Sequence, residues 1–150
     1  MSRLVLKPYF CPNILTMARI LALDFGTKRT GIAVTDELQL IASGLKTVLT
    51  KDLLDFLKDY LNTENVELII IGEPKRLNNE ASDVEKDIAV FLKNLEKITT
   101  VPMKRVDERF TSKMAMQTML DSGLKKKKRK DKALVDEISA TIILQTYLYK

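Results

Sequence analysis

The chain has 150 residues, of which 45% are hydrophobic and 30% are charged, so it can form one domain with a substantial core. It has no histidine and one cysteine, Cys11, which excludes Ser-His and Cys-His nucleophile pairs and an internal disulfide, and disfavours zinc sites. No apolar run approaches the roughly 20 residues that span a bilayer and no secretory signal is evident, so we expect a cytoplasmic protein without membrane association.

The net charge of +5 is unevenly distributed. Residues 121–132 contain seven basic and two acidic side chains, and the rest of the chain is balanced. A polyanion is the natural partner of such a basic segment. At the other end, Pro8 and Pro12 interrupt any regular pattern. We therefore assign residues 1–18 to an irregular N-terminal extension and residues 19–150 to a single domain.

An antiparallel hairpin is predicted to open this domain. Residues 19–25 are apolar on both faces, which is typical of a buried central strand. The glycine-containing turn 26–30 leads to a second strand over 31–36, and a weaker third strand is predicted near 44–49.

Helices and strands alternate in the remainder of the chain. Leucine spacing predicts a helix over 51–62, and capping by Ser82 with Glu85 predicts a helix start at residue 82. Asp131 is a candidate cap for the last helix. The full set of predicted later elements is helix 51–62, strand 66–72, helix 82–97, strand 101–109, helix 112–120 and helix 132–149.

This order predicts an α/β fold with a mixed sheet that opens with an antiparallel hairpin and carries helices on both faces. It is the layout of the ribonuclease H-like fold. A doubly wound nucleotide-binding fold would instead open with a strand-helix-strand unit.

Acidic residues at three places in the chain are candidates for chemistry. Asp24 continues an apolar strand, where a charge is costly unless it is paired, binds a metal or caps the following turn. Asp107 and Glu108 end a strand and point to opposite faces, so at most one can join Asp24. Asp136 shares a helical stripe with Ala140, Ile143 and Tyr147, which favours an inward orientation, although a half-exposed Asp near a helix start is also ordinary.

Three carboxylates at one end of a sheet would repel one another unless cations neutralised them. Hard divalent ions such as Mg²⁺ or Mn²⁺ suit oxygen ligands, and two ions about 4 Å apart can support phosphodiester hydrolysis. Basic side chains near these acids and in the basic segment could hold substrate phosphates, although each alone could be an ordinary solvated charge. The candidates are Lys28, Arg29, Lys75, Arg76, Arg109, Lys125, Lys126, Lys127, Lys128, Arg129 and Lys130.

Four motifs resemble the YqgF family, whose members are known as candidate pre-16S rRNA nucleases or Holliday-junction-resolvase-like proteins. The motifs are LALDFGTKRTGIAVTD (21–36), IIIGEPKRLNN (69–79), VDERFTS (106–112) and LVDEISATIILQTYL (134–148). The resemblance covers the chain from Arg19 to about Tyr149.

The resemblance implies a ribonuclease H-like fold and specific roles for the acids. Asp24 would be the first-strand catalytic Asp, Glu108 the second metal ligand and Asp136 the helix carboxylate. The implied activity is hydrolysis in 5′-end maturation of pre-16S rRNA in the pre-ribosome, or cleavage of branched DNA by a related resolvase, by a monomer or a dimer. Glu73 departs from the family pattern, in which many members carry an apolar residue at this position.

Two other functions are compatible with parts of the pattern. An Asp-x-Gly-Thr turn after a first strand also occurs in actin- and sugar-kinase-type ATPases, but these need two such domains and the chain has room for one. A non-catalytic RNA-binding assembly factor would use the basic segment as its main contact. Intact carboxylates argue against it, because without a metal they would weaken phosphate binding.

Overall fold

A computed structural model describes residues 17–73, 84–107 and 131–149, which form a mixed five-stranded sheet with helices on both faces. The strands are β1 Arg19–Phe25, β2 Arg29–Thr35, β3 Ala42–Leu49, β4 Val66–Glu73 and β5 Met103–Asp107. The helices are α1 Leu53–Thr63, α2 Glu85–Ile98 and α3 Lys132–Leu148, with a 3-10 turn Thr50–Asp52 before α1.

The strand order is β3-β2-β1-β4-β5, with β1 at the centre of the sheet. The first three strands pair antiparallel, whereas β1–β4 and β4–β5 pair parallel. The predicted opening hairpin and mixed sheet are therefore confirmed. β1 reads as apolar on both faces because helices cover the sheet above and below it.

The two faces of the sheet are packed differently. Alternate residues of β1 such as Leu21 and Leu23 face α1 and α2, where the large aliphatic and aromatic side chains of the core collect. The other face carries Ala22, Ala33 and Ala42 and is covered by α3. Small side chains on this second face let α3 lie close to the strands.

The apolar stripe of α3 is confirmed. Ala140 and Ile143 are buried against the sheet, and Tyr147 packs at the edge of the same cluster. Asp131 caps the helix as predicted, because its carboxylate accepts hydrogen bonds from the backbone N–H groups of Ala133 and Leu134. None of the helices in the three described ranges has the length and apolarity to cross a membrane.

The predicted start of α2 is wrong. The helix begins at Glu85, and Val84 at its cap position makes no side-chain capping bond. The carboxylate of Glu85 is engaged instead by the Arg105 guanidinium on β5, at 2.7 and 3.0 Å. Ser82, the predicted capping residue, lies outside the described residues.

Other boundaries differ by a few residues. β2 begins at Arg29 and β3 at Ala42, because cross-strand pairing extends beyond the apolar runs. β5 ends, as far as the structure describes it, at Asp107. The predicted helix 112–120, most of the basic segment and residues 1–16 of the predicted extension lie outside the described residues.

Substituting Gly31 by Ala should destabilise the protein by about 1–3 kcal/mol, because the space beside Gly31 is already filled. A methyl group there would overlap the backbone carbonyl of Asp136 and lie 2.9 Å from the amide nitrogen of Glu137. Neither backbone group can rotate away, so α3 would have to shift. Urea unfolding at pH 7 measures the loss.

Gly44→Ala is the matched control. A methyl group at residue 44 would meet the Glu137 side chain, with its Cγ at 2.6 Å, and that flexible side chain can move aside. We expect a change within about 0.5 kcal/mol. Equal losses in the two variants would contradict the close packing of α3 at Gly31.

Candidate functional site

Asp24 lies on the face of the sheet that α3 covers. Along β1, Ile20 and Ala22 belong to the cluster packed against α3, and Asp24 continues that alternation. Its partner on β2 is Gly31, which in turn pairs with Thr47 on β3. Asp24, Gly31 and Thr47 therefore form one row across three strands.

The first two turns of α3 contact this row. The Thr47 hydroxyl donates a 2.6 Å hydrogen bond to the backbone carbonyl of Ala133. One turn later, the backbone of Asp136 fills the space beside Gly31. Directly opposed residues of an antiparallel pair have Cβ positions about 5 Å apart. Asp24 and the backbone of Asp136 are therefore neighbours of the same glycine.

The Asp136 carboxylate is half-buried and paired with a cation. Its Oδ2 accepts a 3.1 Å hydrogen bond from Nε of Arg29, with the two side chains 25% and 35% exposed. Burial raises the pKa of the Asp136 carboxyl above its usual range, and Arg29 and, more weakly, Lys132 oppose that rise. The net direction shows that burial outweighs the ion pair. A second cation near Asp136 would lower the cost of its charge.

The turn that joins β1 to β2 is held by Thr50. The Thr50 hydroxyl donates to the carbonyl of Gly26 at 2.6 Å and lies 3.0 Å from the buried hydroxyl of Thr30. Its backbone N–H donates to the carbonyl of Lys28 at 2.9 Å. These three contacts of Thr50 hold the turn between β1 and β2. Asp24 lies just before this turn, and Arg29 begins the strand after it.

The acids at the ends of β4 and β5 lie on the other face. Glu73 pairs in register with Asp107. Arg105, two residues before Asp107, contacts α2, whereas Val106 packs in the α3 cluster. Asp107 therefore lies on the face opposite Asp24, and Glu73 shares the face of Asp107 by the same alternation along β4. The prediction that Glu108 points to the other face concerns a residue outside the described ranges.

The structure describes only part of the predicted site. Asp24 and Asp136 are placed together on the α3 face, Lys28 is exposed in the β1–β2 turn, and Arg29 contacts Asp136. Within 17–73, 84–107 and 131–149, no group of three or more acidic or cysteine side chains is placed to hold a metal ion. The other predicted residues lie outside the described ranges, namely Glu108, Lys75, Arg76, Arg109, Lys125, Lys126, Lys127, Lys128, Arg129 and Lys130.

Sequence reasoning missed the contacts that hold the site together. Arg29, which was predicted as a phosphate contact, also pairs through its guanidinium with Asp136, and no sequence pattern indicated that pair. Thr47 and Thr50 carried no signal in the sequence, because Thr47 lies in an ordinary edge strand and Thr50 in the short 3-10 turn that follows it. Only the register of β2 against β3 could have revealed them, and no local pattern encodes that register.

Comparison with known proteins gives close relatives of the whole domain. A family model described as "RuvX: Holliday junction resolvase" matches residues 18–150. A protein from Christiangramia forsetii, named as a candidate pre-16S rRNA nuclease, is 66% identical over 135 residues, which is 89% of this chain and 100% of that protein.

Two solved structures share the fold at low sequence identity. RuvC from T. thermophilus, in complex with a Holliday junction substrate, has a TM-score of 0.54 at 15% identity, covering 88% of this chain and 94% of that one. The fowlpox virus Holliday junction resolvase has a TM-score of 0.52 at 14% identity, covering 87% and 98%. These likenesses confirm the predicted ribonuclease H-like fold.

Replacing Asp136 with Asn should stabilise the metal-free protein at pH 7. Because burial raises the folded-state pKa, the charged carboxylate costs stability at every pH above that pKa. The difference from wild type should close as the pH falls through the folded-state pKa toward about 3.9, the ordinary value of Asp. Urea midpoints in EDTA at pH 7 and pH 4 measure this trend.

Asp59→Asn removes an equal charge from the exposed side of α1 and provides the comparison. If Asp136→Asn were less stable than wild type at pH 7, the Arg29 ion pair would outweigh burial, contrary to our interpretation.

Proposed function

Because the chain belongs to the RuvX (YqgF) family, we propose that it is a divalent-metal-dependent nuclease that hydrolyses phosphodiester bonds at Asp24, Glu108 and Asp136. The observation that carries the proposal is the position of Asp24 and Asp136. They come from a central strand and from a helix start, and they lie on one face beside the same glycine.

The residues present fit a hard divalent ion. Carboxylate oxygens are the ligands that Mg²⁺ and Mn²⁺ prefer. The raised pKa of Asp136 is that of a carboxylate whose charge is incompletely compensated by Arg29. Glu108 is proposed as the third ligand from its sequence position, two residues after Val106, which packs in the α3 cluster. Two ions at this site are the stoichiometry that we propose.

The chain's own groups bind and orient the reactants. When bound, divalent ions supply neutralisation of phosphate charge and a lowered pKa of water. Asp24 projects from a rigid central strand, which fixes one side of the site. Arg29 binds Oδ2 of Asp136 and so orients that carboxylate. With no histidine in the chain, no imidazole serves as general base.

Positive side chains around the acids would hold the substrate backbone. Lys28 lies exposed in the turn that follows Asp24, which suits a phosphate contact. The Arg29 guanidinium can bind a phosphate through its Nη groups while Nε holds Asp136. Lys75, Arg76, Arg109 and residues 125–130 are proposed as further phosphate contacts from their sequence positions.

Ribosomal RNA precursor is the first substrate that we propose, with cleavage at the 5′ end of 16S rRNA in the pre-ribosome. The close relatives named as pre-16S rRNA nucleases support it. Branched DNA is the second candidate, supported by the description of the matching family model. Both substrates occur in the bacterial cytoplasm, which is the compartment that we propose. Either a monomer or a dimer could act on each of these two substrates.

Asp24→Asn should abolish divalent-dependent cleavage while retaining nucleic-acid affinity. The substitution removes a ligand charge but leaves the row with Gly31 and the fold intact. Cleavage of a precursor 16S rRNA fragment and of a four-way DNA junction, each with Mg²⁺ or EDTA, measures the loss and identifies the preferred substrate. We expect at least a hundredfold lower rate.

Asp59→Asn is the matched control, because it removes an equal charge on α1 and should cleave like wild type. Wild-type protein that binds RNA but cleaves neither substrate would support an RNA-binding assembly factor. ATP hydrolysis without nuclease activity would support the ATPase interpretation. Either result would overturn the proposed function.

Neutralising residues 125–130 should weaken nucleic-acid binding and flatten its salt dependence. Each lost phosphate contact lowers the slope of log K against log salt by about 0.9 for duplex DNA and about 0.7 for single strands. Fluorescence anisotropy between 50 and 200 mM KCl measures the slope. Replacing Lys58, Lys93 and Lys97 on α1 and α2 is the control. An unchanged slope in the 125–130 variant would remove this segment from the binding surface.

A further inference from the structure

We propose that Thr47 is a positioning residue that holds the start of α3 in register with the sheet and thereby sets the Asp136 carboxylate relative to Asp24. The inference rests on the proposed function, since it concerns the same pair of acids. It assigns a role in the site to a residue of the edge strand β3, which contributes none of the proposed ligands.

The geometry of the row carries the argument. Asp24, Gly31 and Thr47 are successive cross-strand partners on β1, β2 and β3. Ala133 hydrogen-bonds to one end of the row, and the backbone of Asp136 rests on its middle. The helix start is therefore hydrogen-bonded to Thr47 and packs against Gly31. Its next neighbour along the row is Asp24.

Among residues 17–73, 84–107 and 131–149, the other polar and backbone contacts of the helix start constrain its position along the row less directly. The Asp131 cap is internal to the helix, so it moves with it. Gly31 determines how closely the helix can approach, but a steric contact alone resists only compression. The Arg29–Asp136 pair joins two half-exposed flexible side chains. The hydroxyl bond from Thr47 to Ala133 joins one short side chain to backbone, and so constrains sliding most directly.

Residues that orient metal ligands without touching the ion typically change metal affinity by 10- to 100-fold when substituted. Thr47 does not contact the proposed ligand Asp136 directly. It binds the backbone carbonyl of Ala133, in the helical turn that carries Asp136. Loss of its hydroxyl would let that turn move relative to β1. A displacement of about 1 Å is enough to impair a metal or catalytic constellation.

The test compares Thr47→Val, which keeps the shape and strand propensity but lacks the hydroxyl, with Thr47→Ser, which keeps the hydroxyl. Free Mn²⁺ is measured by electron paramagnetic resonance during titration of each full-length protein, without nucleic acid. We expect Thr47→Val to bind Mn²⁺ about tenfold more weakly and Thr47→Ser to bind like wild type. The Mg²⁺ concentration for half-maximal cleavage should rise in parallel, with RNA affinity in EDTA unchanged.

Thr63→Val is the matched control. The Thr63 hydroxyl also donates to helix carbonyls, those of Asp59 and Tyr60, but at the end of α1 and away from Asp24. It should bind Mn²⁺ like wild type. Urea unfolding of every variant checks that the folds are equivalent.

The outcomes separate this inference from the proposed function. If wild-type protein takes up no Mn²⁺, the proposed function fails. If wild type binds Mn²⁺ and Thr47→Val binds it equally well, the function stands and the role of Thr47 is refuted. Weaker binding in both Thr47→Val and Thr47→Ser would also refute the role of the hydroxyl.

Discussion

The close approach of α3 to Gly31 is the constraint on which the rest of the site depends. Any side chain at residue 31 would displace the backbone of Asp136. The alanines at residues 22, 33 and 42 extend the same shallow surface, so the whole helix lies near the strands. Because the helix start is seated beside the partner of Asp24, two acids far apart in sequence share one neighbourhood.

This arrangement places a charge where it costs stability. Burial raises the pKa of the Asp136 carboxyl more than Arg29 and Lys132 lower it, so its charge opposes folding at neutral pH. An ion pair that served stability alone would be more stabilising if the carboxylate were more exposed or had more cationic partners. Incomplete compensation is instead typical of a site that receives a cation or a reacting group.

The sequence predicted the parts of the fold that local patterns encode. β1 is recognisable because it is apolar on both faces, and the inward turn of Asp136 follows from its stripe with Ala140 and Ile143. The start of α2 was mispredicted: the helix begins at Glu85, and the ion pair of Glu85 with Arg105, distant in sequence, is not encoded in any local pattern. The hydrogen bonds of Thr47 and Thr50 depend on the register of the strands, and a short window of sequence does not encode that register.

The separation of the two acids along the chain has a consequence for biosynthesis. Arg29 and Asp136 are joined across 107 residues, and the helix that carries Asp136 is synthesised after every strand of the sheet. Long-range contacts of this kind form late in folding, since chain closure must precede them. A nascent or truncated chain lacking α3 would contain Asp24 but not Asp136. Under the proposed function, such a chain could not cleave nucleic acid until α3 had been synthesised and had packed against the sheet.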